Sequence, residues 1–123
     1  MRGVYFNNGD IELREVAKTG EGVRVRVRSA GICGSDLHML EMKFNLKCIV
    51  GHEGAGLLDD GTPVAVEHST PCNECVYCKN GDSNLCRSAA VLGIGCDGCM
   101  TEELRVPRGS VVPLPANVNV KDA

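Results

Sequence analysis

The stretch from residue 23 to residue 28, Val-Arg-Val-Arg-Val-Arg, alternates apolar and charged side chains without a break. Because successive side chains of a strand point to opposite faces, this alternation predicts a half-buried β-strand with its valines inward and its arginines in water. Shorter apolar runs predict further strands, at residues 4–6, 11–13, 62–66, 104–106 and 111–114. Turn residues separate them, and Asp60-Gly61 is typical of a hairpin. Many short strands with frequent turns indicate an all-β barrel or sandwich.

The composition limits the classes of protein that fit this pattern. The chain has 123 residues, of which 43% are hydrophobic but only 3% aromatic, so it predicts one domain with a core of Val, Leu and Ile. Its net charge of −3 argues against a nucleic-acid partner, and the strand arginines are interpreted as a solvated face. Residues 35–42 predict a short helix capped by Ser35 or Asp36. The tail after Pro113 predicts an extended exit from the domain.

The chain shows no apolar run that would form a signal-peptide core or reach the roughly 18 residues of a membrane helix. We therefore expect a cytoplasmic protein that does not bind a membrane. Cytoplasmic thiols are kept reduced, so the eight cysteines favour metal binding over a disulfide framework.

Four of the cysteines, Cys72, Cys75, Cys78 and Cys86, lie in one segment. Three recur at intervals of three residues and the fourth follows eight residues later, with Gly81 allowing the chain to turn back. Four thiolates at such spacing are typical of a structural zinc site. An iron–sulfur cluster or unligated thiols are the alternatives. Since the segment has few large apolar residues, the metal would supply the free energy that orders it.

A second group of candidate ligands lies upstream. Cys33, His52 and Glu53 each sit beside glycines and offer a thiolate, an imidazole and a carboxylate. These are the ligand types of a catalytic zinc that keeps one position open. Ser35 and His38 follow Cys33 closely, and we expect them to move a proton between a bound alcohol and solvent. Taken singly, each of these residues is a weak signal.

At these residues the sequence resembles the zinc-dependent medium-chain alcohol and polyol dehydrogenases. The run from Gly31 to His38 resembles the family segment with the first catalytic-zinc ligand and the proton relay, and the run from Gly51 to Gly56 resembles the segment with the second ligand. The four-cysteine segment matches the family's structural zinc lobe, here about residues 71–88. The resemblance covers residues 1–123 and implies the N-terminal catalytic domain, a mainly β, GroES-like, partly open barrel with a few short helices.

The resemblance also implies a reaction, the oxidation of an alcohol, polyol or sugar hydroxyl with hydride transfer to NAD(P). Cys33 and His52 would ligate the catalytic zinc, Glu53 would ligate it or lie beside it, and Ser35 and His38 would relay the proton. The family's Rossmann domain is missing from this chain, in which no G-x-G-x-x-G motif follows a strand and opens a helix. We therefore expect the chain to be inactive alone. A self-associating apolar face is expected where the second domain would lie.

Two further departures from the family pattern concern a loop and three cysteines. The loop at residues 56–64 is shorter than usual, and Cys48, Cys96 and Cys99 stand where other residue types are expected. Cys96 and Cys99 admit a redox disulfide or an extra metal site, but two small residues in a glycine-rich turn are favoured. The alternative function is a freestanding zinc-stabilised β-domain that acts in binding or assembly without catalysis.

Overall fold

The alternating stretch forms most of strand β3 (Val23–Ala30) in a computed structural model that describes all 123 residues. Val25 is fully buried, as the alternation predicts. Arg24 lies on the other face, where its guanidinium pairs with Asp59 at 2.6 Å and with Glu103 at 3.4 Å. Arg24 and Arg26 are half-buried and Arg28 is exposed, so the arginine face is solvated at one end and ion-paired at Arg24.

Eight further strands surround β3: β1 (Arg2–Asn7), β2 (Asp10–Glu15), β4 (Gly54–Leu57), β5 (Pro63–Val66), β6 (Ser69–Thr70), β7 (Ala90–Val91), β8 (Glu103–Val106) and β9 (Val111–Pro113). The five other strands predicted from sequence are all present. Strand β4 was not predicted, because its sequence Gly-Ala-Gly-Leu lacks the branched and aromatic residues that favour strands. Its glycines are needed for close packing, since a Cβ at Gly56 would collide with the carbonyl of Arg26 on β3.

The strands form three antiparallel sheets. The largest has five strands in the order β8-β3-β4-β5-β9 and curls into a half-barrel, while β1-β2 and β6-β7 form two-stranded sheets. The predicted hairpin is confirmed, because β4 and β5 pair across residues 58–62 and Gly61 adopts a φ of +86°. The main core is aliphatic, as the composition predicts, and its buried members include Val25, Val64, Leu92, Leu104 and Val106.

The helices are short: α1 spans Gly34–Glu41 and α2 spans Val76–Lys79, with 3-10 turns at Ser83–Leu85 and Arg108–Ser110. Helix α1 confirms the predicted helix, but the predicted caps are wrong because Cys33 occupies the N-cap position. The Asp36 carboxylate lies inside the first turn and accepts a hydrogen bond from the Cys33 N–H at 2.9 Å. No helix of this structure has the length and apolarity needed to cross a membrane.

The tail beyond Pro113 does not leave the domain in an extended form, so that prediction was wrong. It forms turns at residues 116–122, and the Ser29 hydroxyl at the end of β3 donates a 2.7 Å hydrogen bond to the Val120 carbonyl. A polar contact with the main sheet therefore holds the tail against the domain.

Candidate functional site

Cys33 lies in the short connection between β3 and helix α1. The pairing of β3 with β4 shifts its register between Val27 and Ser29, an irregularity of the kind that often redirects a strand next to an active site. The chain then reaches Cys33 in an extended conformation, with φ −82° and ψ 155°. The Asp36 carboxylate accepts a hydrogen bond from the Cys33 N–H, and this bond holds the backbone of Cys33 in place before helix α1.

His52 and Glu53 lie directly before strand β4. Gly51, with a φ of +91°, makes the preceding turn, and its carbonyl accepts a hydrogen bond from Cys99 N–H at 2.8 Å. A Cβ at Gly51 would lie 2.7 Å from Cγ of Met100, so the turn requires glycine for space as well as for conformation. The Glu53 carbonyl accepts a 3.0 Å bond from Gly31 N–H, which ties this segment to the end of β3.

The three candidate ligands predicted from sequence are brought together. One ligand atom each from Cys33, His52 and Glu53 lies within 4.8 Å of the other two. Hydrogen bonds from Ser35, and a further one with His52, lower the pKa of the Cys33 thiol below its usual value of 9.0. A lowered pKa favours the thiolate, which is the form that binds a metal.

The two predicted relay residues are placed differently with respect to this group. Ser35 Oγ lies 3.3 Å from Nε2 of His52, at the centre of the site. His38 lies one turn further along α1 and is exposed, and its side chain makes no hydrogen bond. The structure therefore joins Ser35 to the candidate ligands but does not join His38 to Ser35.

Asp36 is a site residue that the sequence analysis missed. Its side chain is 1% exposed, and its Oδ1 atom lies 3.6 Å from Nδ1 of His52. Both of these atoms are buried without a hydrogen-bond partner. A histidine that ligates a metal through one ring nitrogen usually turns the other toward a carboxylate, so this pair fits an imidazole whose Nε2 faces a cation. The signal was a candidate ligand followed by an aspartate three residues later, which we interpreted as a helix cap.

The four-cysteine lobe also converges on one point. Sγ of Cys72 lies 3.5 Å from Sγ of Cys86 and 3.9 Å from that of Cys78, which is 3.5 Å from Sγ of Cys75. A zinc ion with sulfur ligands at about 2.3 Å in a tetrahedron would space the sulfurs about 3.8 Å apart. Bonded sulfurs would be about 2.05 Å apart, so the spacing fits a metal rather than disulfides.

The backbone of the lobe supports negative charge on its sulfurs. Backbone N–H groups of Glu74 and Cys75 are the main cause that lowers the pKa of Cys72 from 9.0 to about 6. Desolvation, together with a hydrogen bond to Cys75, raises the pKa of Cys78 to about 12. Gly81, with a φ of +88°, makes the predicted turn back toward Cys86.

An open cleft of about 620 Å³ borders the Cys33 group, and His52 and Glu53 form part of its wall. Glu67 and His68 line the same cleft, and the sequence analysis missed both. Strands β4 and β5 are antiparallel and Gly54 pairs with Val66. Glu53, just before Gly54, therefore lies beside Glu67, just after Val66, and His68 follows. No lysine or arginine lines the cleft.

Comparison with known proteins identifies relatives of the whole chain. The family model for the alcohol dehydrogenase GroES-like domain matches residues 19–116. L-idonate 5-dehydrogenase from Vitis vinifera is 31% identical over 120 residues, which cover 81% of this chain and 32% of that protein. The match to the structure of alcohol dehydrogenase TADH from Thermus sp. ATN1 covers 98% of this chain and 42% of that protein's chain, with 30% identity and a TM-score of 0.86.

A further structure, described as an Escherichia coli short chain alcohol dehydrogenase complexed with the cofactor NADH, covers 98% of this chain and 40% of its own, with 32% identity and a TM-score of 0.83. The chain thus spans about a third of the curated relative's length and about two fifths of the two solved chains. The chain therefore belongs to the alcohol dehydrogenase GroES-like domain family, whose relatives here are medium-chain alcohol and polyol dehydrogenases.

Proposed function

We propose that residues 1–123 are the metal-binding catalytic domain of an oxidoreductase that oxidises an alcohol, polyol or sugar hydroxyl and passes the hydride to NAD(P). The observation that carries the proposal is the convergence of Cys33, His52 and Glu53, of which His52 and Glu53 line an open cleft. A thiolate, an imidazole and a carboxylate in an accessible position are the donor set of a catalytic rather than a structural zinc.

The residues present fit a zinc ion at this site. A zinc ion bound there would polarise the hydroxyl oxygen of the substrate and make its proton easier to remove. Cys33 would bind as a thiolate and His52 through Nε2, while the buried Asp36 carboxylate, 3.6 Å from His52 Nδ1, would orient the His52 ring. Glu53 serves as the third ligand or exchanges with solvent beside it.

Ser35 is the residue in position to accept the proton of the substrate hydroxyl. Its Oγ lies 3.3 Å from His52 Nε2, and its side chain is exposed to the solvent from which a substrate would enter. His38 lies one turn away on the same helix and is exposed, so it would pass the proton onward only through a bridging hydroxyl or water.

Polar side chains in the wall of the cleft favour substrates with several hydroxyl groups. Glu67 and His68 add a carboxylate and an imidazole beside Glu53, next to the apolar side chains of Ala65 and Val66. Hydroxyl groups of a polyol or sugar would find hydrogen-bond partners there, whereas an aliphatic chain would leave those polar groups unpaired.

The four-cysteine lobe is proposed to hold a structural zinc ion. Its sulfur spacing fits a closed tetrahedron, which leaves no position for a substrate. The NAD(P)-binding domain is proposed to lie outside residues 1–123, since the chain spans only part of its relatives and its one G-x-G-x-x-G run, residues 93–98, opens no helix. We therefore expect no turnover from residues 1–123 alone.

Location and assembly belong to the same proposal. Eight free thiols suit a reducing, cytoplasmic location. Ile32 and Leu37 flank the Cys33 site and are 69% and 55% exposed. Apolar side chains beside a candidate active site suit a surface that another domain covers or that a second copy of the chain covers when this domain is alone.

The proposal is tested with a chimera in which residues 1–123 replace the matching part of the Thermus enzyme. We expect zinc-dependent reduction of NAD(P) with a polyol or alcohol, and loss of that activity in Cys33→Ser. Cys48→Ser, outside the proposed machinery, serves as the matched control. A folded chimera that binds zinc and NAD(P) but oxidises no member of an alcohol, polyol and sugar panel would overturn the proposal and favour a binding or assembly module.

A further inference from the structure

Three cysteines, Cys48, Cys96 and Cys99, belong to neither candidate metal group. Cys99 is fully buried in the main core, where a Cβ added to Gly54 would lie 2.7 Å from its sulfur. Burial is also the main reason that the pKa of its thiol is raised to about 12. Cys99 is therefore a packing residue with no access for a reagent.

Cys48 and Cys96 are both only half-buried, and their sulfurs bond to the same tight turn. Cys48 Sγ lies 3.4 Å from the carbonyl oxygen of Ile94, and Cys96 Sγ lies 3.8 Å from that of Val91. The turn is closed by hydrogen bonds from Ile94 N–H and Gly95 N–H to the same Val91 carbonyl, at 3.2 and 2.9 Å. The two thiols therefore both contact the turn at residues 91–95.

The backbones that carry these thiols are held side by side. Directly after Cys48, Ile49 N–H donates to the Asp97 carboxylate at 3.1 Å, and the Ile49 carbonyl accepts from Gly98 N–H at 2.8 Å. Asp97 directly follows Cys96, so the two cysteines precede residues that are hydrogen-bonded to each other. These hydrogen bonds bring the two segments into direct contact, and a disulfide spans Cα separations of about 4.4–6.8 Å.

We propose that Cys48 and Cys96 are a thiol–disulfide exchange site that closes on reaction with a small-molecule disulfide. One thiolate attacks the small disulfide, which forms a mixed disulfide and releases one small thiol. The second thiolate then attacks the protein sulfur of that mixed disulfide, which forms the Cys48–Cys96 bond and releases the second small thiol. The two protein thiols lose two protons and two electrons, and the small disulfide takes up both electrons.

The sulfurs face backbone carbonyls rather than each other, so side-chain rotation must precede bond formation. The closed bond would tie the segment before His52 to the turn at 91–95. The loop it closes, residues 48–96, contains His52, Glu53 and the four-cysteine lobe but not Cys33. Burial, with Asp97 as the next cause, raises the pKa of both thiols. Exchange is therefore slow at neutral pH and accelerates as the pH rises.

The test uses the zinc-loaded 123-residue chain treated with oxidised glutathione at pH 8, followed by alkylation and peptide mapping. We expect a mass loss of two hydrogens and one cross-linked peptide that joins Cys48 to Cys96, with no release of zinc. Cys48→Ser should instead trap a glutathione adduct on Cys96, and Cys96→Ser should trap one on Cys48. Cys99→Ala is the matched control and should still form the cross-link.

A charge variant provides a second, independent measurement. Asp97→Asn keeps the carbonyl oxygen that accepts Ile49 N–H but removes the negative charge beside both thiols, so it should speed closure several-fold at pH 7. A Cys96–Cys99 cross-link, stable glutathione adducts on the unmutated chain, or no reaction at either thiol would overturn the proposal.

Discussion

The buried carboxylate behind His52 allows a quantitative test of the Cys33 site. In the native chain one oxygen of Asp36 accepts the Cys33 N–H at 2.9 Å and the other lies 3.6 Å from His52 Nδ1. In Asp36→Asn, one of these two oxygens is kept and the other is replaced by an NH₂ group. The substitution also removes the negative charge that would complement a metal-bound imidazole. Loss of such a partner typically weakens metal binding 10- to 100-fold, or by about 1.4 to 2.7 kcal/mol.

The assay is a zinc titration of a chain whose four-cysteine lobe is already filled. Asp36→Asn should raise the dissociation constant of the second ion by the stated factor and leave the first ion bound as tightly as before. The exposed tail variant Asp122→Asn is the matched control and should change neither constant. An unchanged second constant in Asp36→Asn would refute the assignment of Asp36 as the residue that orients His52.

Two further predictions concern the lobe and the core. Cys75→Ser, or a strong chelator, should remove the first zinc ion and expose residues 71–88 to protease and to hydrogen exchange, because the lobe has little apolar packing of its own; protection that survives both treatments would contradict this expectation. Gly54→Ala should destabilise the fold by about 1–3 kcal/mol in thermal unfolding, since the added Cβ would lie 2.6 Å from Cβ of Cys99, and Cys99→Gly in the same chain should restore part of the loss.

The sequence was most informative where the relevant residues are close together in the chain. The spacing of Cys72, Cys75, Cys78 and Cys86 predicted one metal-sized cluster, and a short loop brings their sulfurs together. The alternation at residues 23–28 predicted β3 because period-two patterning depends only on strand geometry. Cys33 and His52 are further apart, and the sequence analysis grouped them by ligand type and by the resemblance to a family rather than by their spacing.

The remaining features depend on tertiary contacts that periodicity does not report. Asp36 was interpreted as a local cap, and its second partner lies on a different segment of the chain. Glu67 reaches the cleft because Gly54 on β4 pairs with Val66 on β5. The composition of β4 did not predict a strand, so this pairing could not be predicted either. The turning tail is held against the sheet by hydrogen bonds from Leu114 N–H to the Pro63 carbonyl and from the Ser29 hydroxyl to the Val120 carbonyl, and their partners on the sheet are remote from the tail in sequence.

The most direct test of the central claim is the zinc content of the purified chain by native mass spectrometry. We predict two bound ions, a tight one lost only when the four-cysteine lobe is mutated and a weaker one lost selectively in Cys33→Ser. A chain that binds no zinc would contradict both assignments. A second ion that persists in Cys33→Ser and in His52→Ala would contradict the proposed catalytic site.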